Sequence, residues 1–146
     1  TMAKVLATRG AQWPLTAEFV INLTDSVVNT SGAEEAIGTV GPHVFDAIKL
    51  PVNAIVIGGA VTTEVVATGP TALNISVGDS TNATRYLGAT DRVAAGRTAL
   101  VPTGYVGNGE DLRVTVAPTV AVATAGKISV HVQYIIRNRV TETQTH

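Results

Sequence analysis

The chain has 146 residues, a formal net charge of −1 and no cysteine. Its length suits one domain with a core large enough to need no covalent staple, and the missing cysteines exclude disulfides, thiol catalysis and cysteine zinc sites. Charged residues make up only 14% of the chain, against roughly 25% in ordinary soluble domains, so either partners cover much of the surface or neutral Thr, Ser and Asn side chains build it.

Residues 1–14 hold Gly10, Trp13 and Pro14 without a sustained period and read as an extended N-terminal arm. The arm opens with TMAKVLATRG, which lacks the apolar run of a secretory leader. The chain's single Trp lies in this arm and marks it as a segment that anchors on its own domain or on a neighbour. From Leu15 the pattern alternates, with Leu15, Ala17, Phe19 and Ile21 on one side and Thr16, Glu18, Val20 and Asn22 on the other, as a strand requires. Val27 and Val28 continue that sheet. Residues 29–42 are polar and Gly-bearing; Ser31 three residues before Glu34 resembles a capping box, which predicts one helical turn over Ala33–Ile37.

Two strands follow, HVFDAIKLP and NAIVIGGAVTTEVV, separated by Pro51 at an edge or corner. Gly58 and Gly59 predict a bulge or bend of the kind that carries a long strand from one sheet to another. Leu73, Ile75 and Val77 alternate up to a turn at Gly78-Asp79, and a short strand is read at Arg85–Leu87. The stretch AAGRTALVPTGYVGNGEDL is loop-rich. Leu112, Val114 and Val116, and then Ile128, Val130, Val132, Tyr134 and Ile136, show the clearest alternation, and turn signals at Pro118 and Ala125-Gly126 predict that these two strands pair antiparallel. About eight strands and no helix period define an all-β domain, an antiparallel β-sandwich or jelly roll over residues 15–137, with closed barrels also fitting that count. Residues 138–146 form a C-terminal tail. No apolar run reaches the length of a membrane-spanning helix.

Chemistry-bearing patterns are sparse. His43, His131 and His146 are isolated in sequence; a metal-binding β-roll needs two closely spaced His and a third on a later strand, so no metal site is predicted, and His43 and His131 read as a loop His at a strand start and an outward strand His. No nucleophile elbow occurs, and the acid pairs Glu34-Glu35 and Glu110-Asp111 sit in turns, so catalytic residues are read as none and cofactors as none. Six aromatic residues in all are too few for a sugar-stacking cleft. With no basic excess and no aromatic platform beside the basic residues, nucleic-acid binding is not indicated.

Residues 51–101 carry a specific order: an apolar strand after a Pro, a Gly-marked bend, a strand ending Ile75-Ser76-Val77-Gly78-Asp79, then Arg85-Tyr86-Leu87 and Ala94-Ala95-Gly96-Arg97. This order resembles the jelly-roll cement, or decoration, proteins of tailed bacteriophages, in particular those of short-tailed phages. The resemblance implies a non-enzymatic structural virion protein made in the bacterial host cytoplasm. It would sit on the capsid exterior, bind major capsid protein subunits non-covalently and form a homodimer or homotrimer, with neither nucleic acid nor a membrane as partner. Trp13, Arg137 and Arg139 are the candidate partner contacts, on an arm and tail that reach across to neighbours.

Independently of any family, Asp79 fits an Asx turn closing its own loop, and Arg85 can pair with Asp79 or Asp91 to hold that loop shut, with Tyr86 and Leu87 returning to the core. Other readings of the same residues are a carbohydrate-binding β-sandwich on a virion surface and a tail or head-completion component.

Overall fold

The computed structural model describes residues 13–137, which form eleven strands and no helix. In chain order these are β1 Leu15–Asn22, β2 Ser26–Val28, β3 Glu34–Ala36, β4 His43–Ile48, β5 Val52–Thr68, β6 Ala72–Gly78, β7 Leu87–Asp91, β8 Gly96–Ala99, β9 Val106–Asn108, β10 Leu112–Thr119 and β11 Ala125–Ile136. Two layers account for most of them. One runs β1-β11-β5-β8, with β9 also on β5; the other runs β4-β10-β6-β7; every pairing is antiparallel. Since β8 and β9 border successive parts of β5, they are two pieces of one edge strand. Apart from the β2–β3 hairpin, eight strand positions remain. First strand beside last, and β4 beside the next-to-last, is the wrapping of a jelly roll.

The core lies between the layers. Ile21, Val56, Val61, Ile128, Val130 and Val132 line it from one layer, and Phe45, Leu73, Ile75, Val77, Leu112, Val114 and Val116 from the other, all buried. In β10 every second residue is buried, as period-2 alternation dictates for a strand with one face on the core. Phe19 of β1 meets Phe45 of β4 with ring centroids 5.4 Å apart, closing the side where the two layers' edge strands adjoin.

Several expectations need correction. β10 and β11 do not pair; they lie in opposite layers, and the link between them crosses the sandwich. Their alternation and turn signals specify a reversal but not which layer the chain enters, and wrapping sends it across. The Gly58–Gly59 feature is a bulge: pairing steps from Gly58↔Gln133 to Val56↔Tyr134, leaving Ile57 as the extra residue. Yet β5 stays in one layer throughout, because β11 follows it along the whole length and the bulge absorbs the curvature. Gly59 is obligatory there: its φ is +138°, and a Cβ would lie 2.3 Å from the His131 carbonyl oxygen. The crossing between layers comes earlier, at Pro51 between β4 and β5.

The segment 31–37 contains no helical turn. Glu34–Ala36 is strand β3, paired with β2. Asn29 Oδ1 accepts from the Ser31 and Ala33 N–H groups and the Ser31 hydroxyl, each at 3.0 Å, so the Asn side chain reverses the chain where a helix start was expected. Val27 and Val28 therefore belong to this small hairpin and not to the layer of β1. The strand read at Arg85–Leu87 begins only at Leu87, and Arg85 stays in the preceding loop.

Candidate functional site

The strand ends divide the roll into two unlike poles. At one pole β6 ends on Gly78, and the loop 79–86 folds tightly back on it: a Cβ on Gly78 would stand 2.1 Å from the Asn82 carbonyl oxygen. Asp79, 4% exposed, organises this loop. Its Oδ1 accepts from the Thr81 N–H at 2.9 Å, the Thr81 hydroxyl at 2.7 Å and the Asn82 N–H at 2.9 Å. Arg85 Nε donates to Asp79 Oδ2 at 2.5 Å, and the same guanidinium donates to the Thr81 hydroxyl at 2.7 Å. Burial pushes the Asp79 carboxyl up, but the bonds from Arg85, Thr81 and Asn82 together outweigh it and hold the group below its ordinary value. Arg85 stacks 3.5 Å from the Tyr105 ring centre, and the Tyr105 hydroxyl donates to Glu110 Oε1 at 2.6 Å. Asp91 takes no part; it accepts from the Leu73 and Val93 N–H groups. Tyr86 and Leu87 are buried.

Each polar group of this cluster is thus satisfied by a neighbour. The arrangement is a loop clasp: it holds Arg85 over Tyr105 and leaves no acid, base and nucleophile set converging on open space. Trp13 and Arg137 also lie at this pole, beside the start of β1 and the end of β11. Trp13 is 83% exposed, and Arg137 is exposed with its N–H donating to the Asn53 carbonyl at 2.8 Å. Arg139, His146 and residues 1–12 and 138–146 of the arm and tail lie outside the described residues.

The opposite pole is built from three loops that hydrogen-bond to one another. Gly41 N–H donates to Pro118 O, Ala123 N–H to Gly38 O, Thr71 N–H to Thr119 O and Thr124 N–H to Thr68 O. The contributing stretches 36–42, 65–73 and 114–126 contain no charged residue. Val40, Val66, Val120 and Val122 project from them, each more than half exposed. Val120 has φ +74°, a left-handed conformation that is a genuine outlier for a β-branched residue. Sequence reading did not single out this pole, although its signal was available: three uncharged runs, each with a turn-forming Gly or Pro, ending on neighbouring strands.

Histidine geometry also differs from expectation. His43 stands at the start of a strand, as read, but it is the first residue of β4 itself and is buried. Its Nδ1 bonds Glu35 Oε1, and its Nε2 lies 2.7 Å from the Thr39 carbonyl and 3.1 Å from the Thr39 hydroxyl. Asn29 also donates to Glu35, and the Asn29 and His43 bonds hold the Glu35 carboxyl below its ordinary value. This network ties the β2–β3 hairpin to β4. Among the described residues, no three His, Asp or Glu side chains come together as a metal site requires. None of their helices crosses a membrane, because none exists.

No protein-family model matches the chain, and no curated protein does. Solved structures do. The fold is similar to a chain of the capsid asymmetric unit of cyanophage Pam1, with a TM-score of 0.62 and 20% identity over 92% of this chain and 94% of that one. A chain of the Ralstonia phage GP4 capsid matches with a TM-score of 0.57 and 15% identity over 93% and 91%. A chain of the acid-stable capsid of Helicobacter pylori bacteriophage KHP30 matches at 0.55 and 15% over 88% and 90%. At these identities the likeness is one of fold, and it runs nearly end to end.

Proposed function

We propose that this chain is a structural virion protein, a cement or decoration protein that binds major capsid protein subunits on the outside of a phage head and stabilises it through non-covalent contacts. The observation that carries the proposal is the end-to-end fold likeness to chains of three separate phage capsids. The surface supplies a second support. Its low charge and the uncharged valine pole suit a contact that excludes water, since the cores of protein interfaces are depleted of charged residues.

In this reading the uncharged pole meets the shell, Trp13 and Arg137 at the other end contact a neighbouring copy in a homodimer or homotrimer, and Arg139 of the tail joins that contact. An exposed Trp and Arg are the side chains that most often carry interface energy. The chain carries no catalytic role, and the clasp of Asp79 and Arg85 serves to fix a loop.

The test is to incubate purified protein with phage heads assembled without it, then sediment them. Saturable co-sedimentation and heads that withstand a higher temperature before releasing DNA are expected. Absence of binding to heads, or selective binding on a glycan array, would overturn the proposal.

A further inference from the structure

We propose that the open edge of β1 is a docking site for an extended, basic-and-apolar strand, and that residues 1–12 of the same chain are its occupant. Among the described residues, β1 is the terminal strand of its layer and pairs with β11 alone. Among the described residues, no backbone hydrogen bond is made on its other side between Leu15 and Ile21. Such an edge is a ready template for another strand, and proteins normally cover or disrupt it.

An open groove of about 600 Å³ runs along this edge, lined by Phe19, Val20 and Ile21 of β1, by Thr24 to Val27 and by Glu34. Three consecutive β1 residues line it. Successive side chains of a strand point to opposite faces, so the opening follows the backbone edge and not one face. Of its lining, Phe19 and Val27 are half-buried and apolar, and Asp25 and Glu34 are exposed and acidic.

Charge and length select the occupant. Residues 1–12 include Lys4 and Arg9 and no acid, together with Met2, Val5 and Leu6 for the apolar lining. Residues 138–146 carry one arginine and one glutamate, so they bring no net attraction. Direction also separates the two. The arm enters β1 directly, and a reversal near Gly10 would lay it antiparallel, the arrangement short connections allow. The tail follows β11 and would have to run parallel to β1, which needs a crossover of about a dozen residues or more.

The groove lies about 27 Å from Trp13, at roughly 3.4 Å per residue along β1. Twelve residues less about three for a reversal extend about 31 Å, which covers it. An arm already tethered to the edge has an effective concentration in the range of about 1 mM, an advantage a second copy lacks.

The absence of cysteine makes the test unambiguous. In the full chain, Ser26→Cys is combined in turn with Met2→Cys, Lys4→Cys or Leu6→Cys, and disulfide closure under mild oxidation is followed at low protein concentration. A fourth pair, Ser26→Cys with Thr103→Cys, is the control. One arm pair is expected to close within a single chain, roughly tenfold faster than the control. Glu34→Lys should slow that closure several-fold in the Leu6→Cys pair, and Lys4→Glu should restore it. Closure between chains would assign the groove to a second copy's arm and overturn the proposal. Equal rates for all pairs, or no response to the charge exchange, would overturn it as well.

Discussion

Replacing Asp79 with Ala isolates the clasp that closes the loop after β6. The substitution strands the Thr81 and Asn82 N–H groups and the Arg85 guanidinium, all of which bond to this carboxylate. Each backbone bond lost contributes about 1 kcal/mol, because Thr81 and Asn82 are exposed and water can replace part of the interaction. The ion pair adds about 1 kcal/mol after allowance for solvent near the partly exposed Arg85 side chain. The total is a loss of about 3 kcal/mol, a shift in the urea midpoint of about 1.5 M at the usual slope for this size. Asp79→Asn keeps an acceptor but removes the charge and should cost less than half as much.

The proton dependence has a definite sign. The folded-state carboxyl lies below its ordinary value near ~3.9, so its contribution is complete above that value and is lost as pH falls through the folded one. The stability gap between wild type and Asp79→Asn should therefore narrow below about pH 4. Urea titrations followed by circular dichroism measure both effects. A change under about 0.5 kcal/mol for Asp79→Ala would refute the assignment of Asp79 as the loop's organiser.

Other substitutions probe the remaining features. Gly78→Ala drives a methyl into the Asn82 carbonyl and should destabilise the fold by about 3 kcal/mol or prevent the loop from closing, read by the same titration. His43→Ala removes the bonds to Glu35 and Thr39 and should cost about 1–3 kcal/mol, with faster amide exchange confined to the β2–β3 hairpin. Burial, aided by the nearby Asp79 charge, pushes the Tyr86 hydroxyl up to about 12. Its share of stability is full below the ordinary value near ~10 and is lost as pH rises through the folded value, so ultraviolet titration should show one tyrosine ionising well after an ordinary one. Val120→Gly should relieve the left-handed strain and stabilise the fold by about 1 kcal/mol, whereas Val120→Asp should weaken binding to heads without changing the unfolding midpoint.

The parts of the fold most legible in the sequence are those governed by local alternation. Leu112–Val116, Ile128–Ile136 and Leu15–Ile21 declare an inward face because a strand's side chains alternate, and the structure buries Leu112, Val114, Val116, Ile128, Val130, Val132 and Ile21, whereas Leu15 at the start of β1 is exposed. The layer each strand joins was not legible. It depends on how the whole chain wraps, which is why β10 and β11 pair with other strands. Asp79 was readable because an Asp after a Gly, with Thr81 and Asn82 following, has nearby backbone donors to bind. The hairpin at 26–36 was misread because Ser31 and Glu34 match a helix-start spacing. Asn29, whose side chain closes the turn, offers no periodic signal. His43 is buried only because Glu35 and Thr39 bring acceptors to both ring nitrogens, a juxtaposition made by the hairpin's return. The groove beside β1 likewise exists only because that strand falls at a layer's edge.

The central claim is that this jelly roll is part of a capsid's outer shell. Cryo-electron microscopy of the particle that contains it tests the claim most directly. The account predicts density for the described fold on the exterior of the head, repeated at the shell's symmetry positions, with the Val40–Val120–Val122 pole against major capsid subunits. Density for this chain confined to the tail or the head–tail junction, or its absence from the particle, would contradict it.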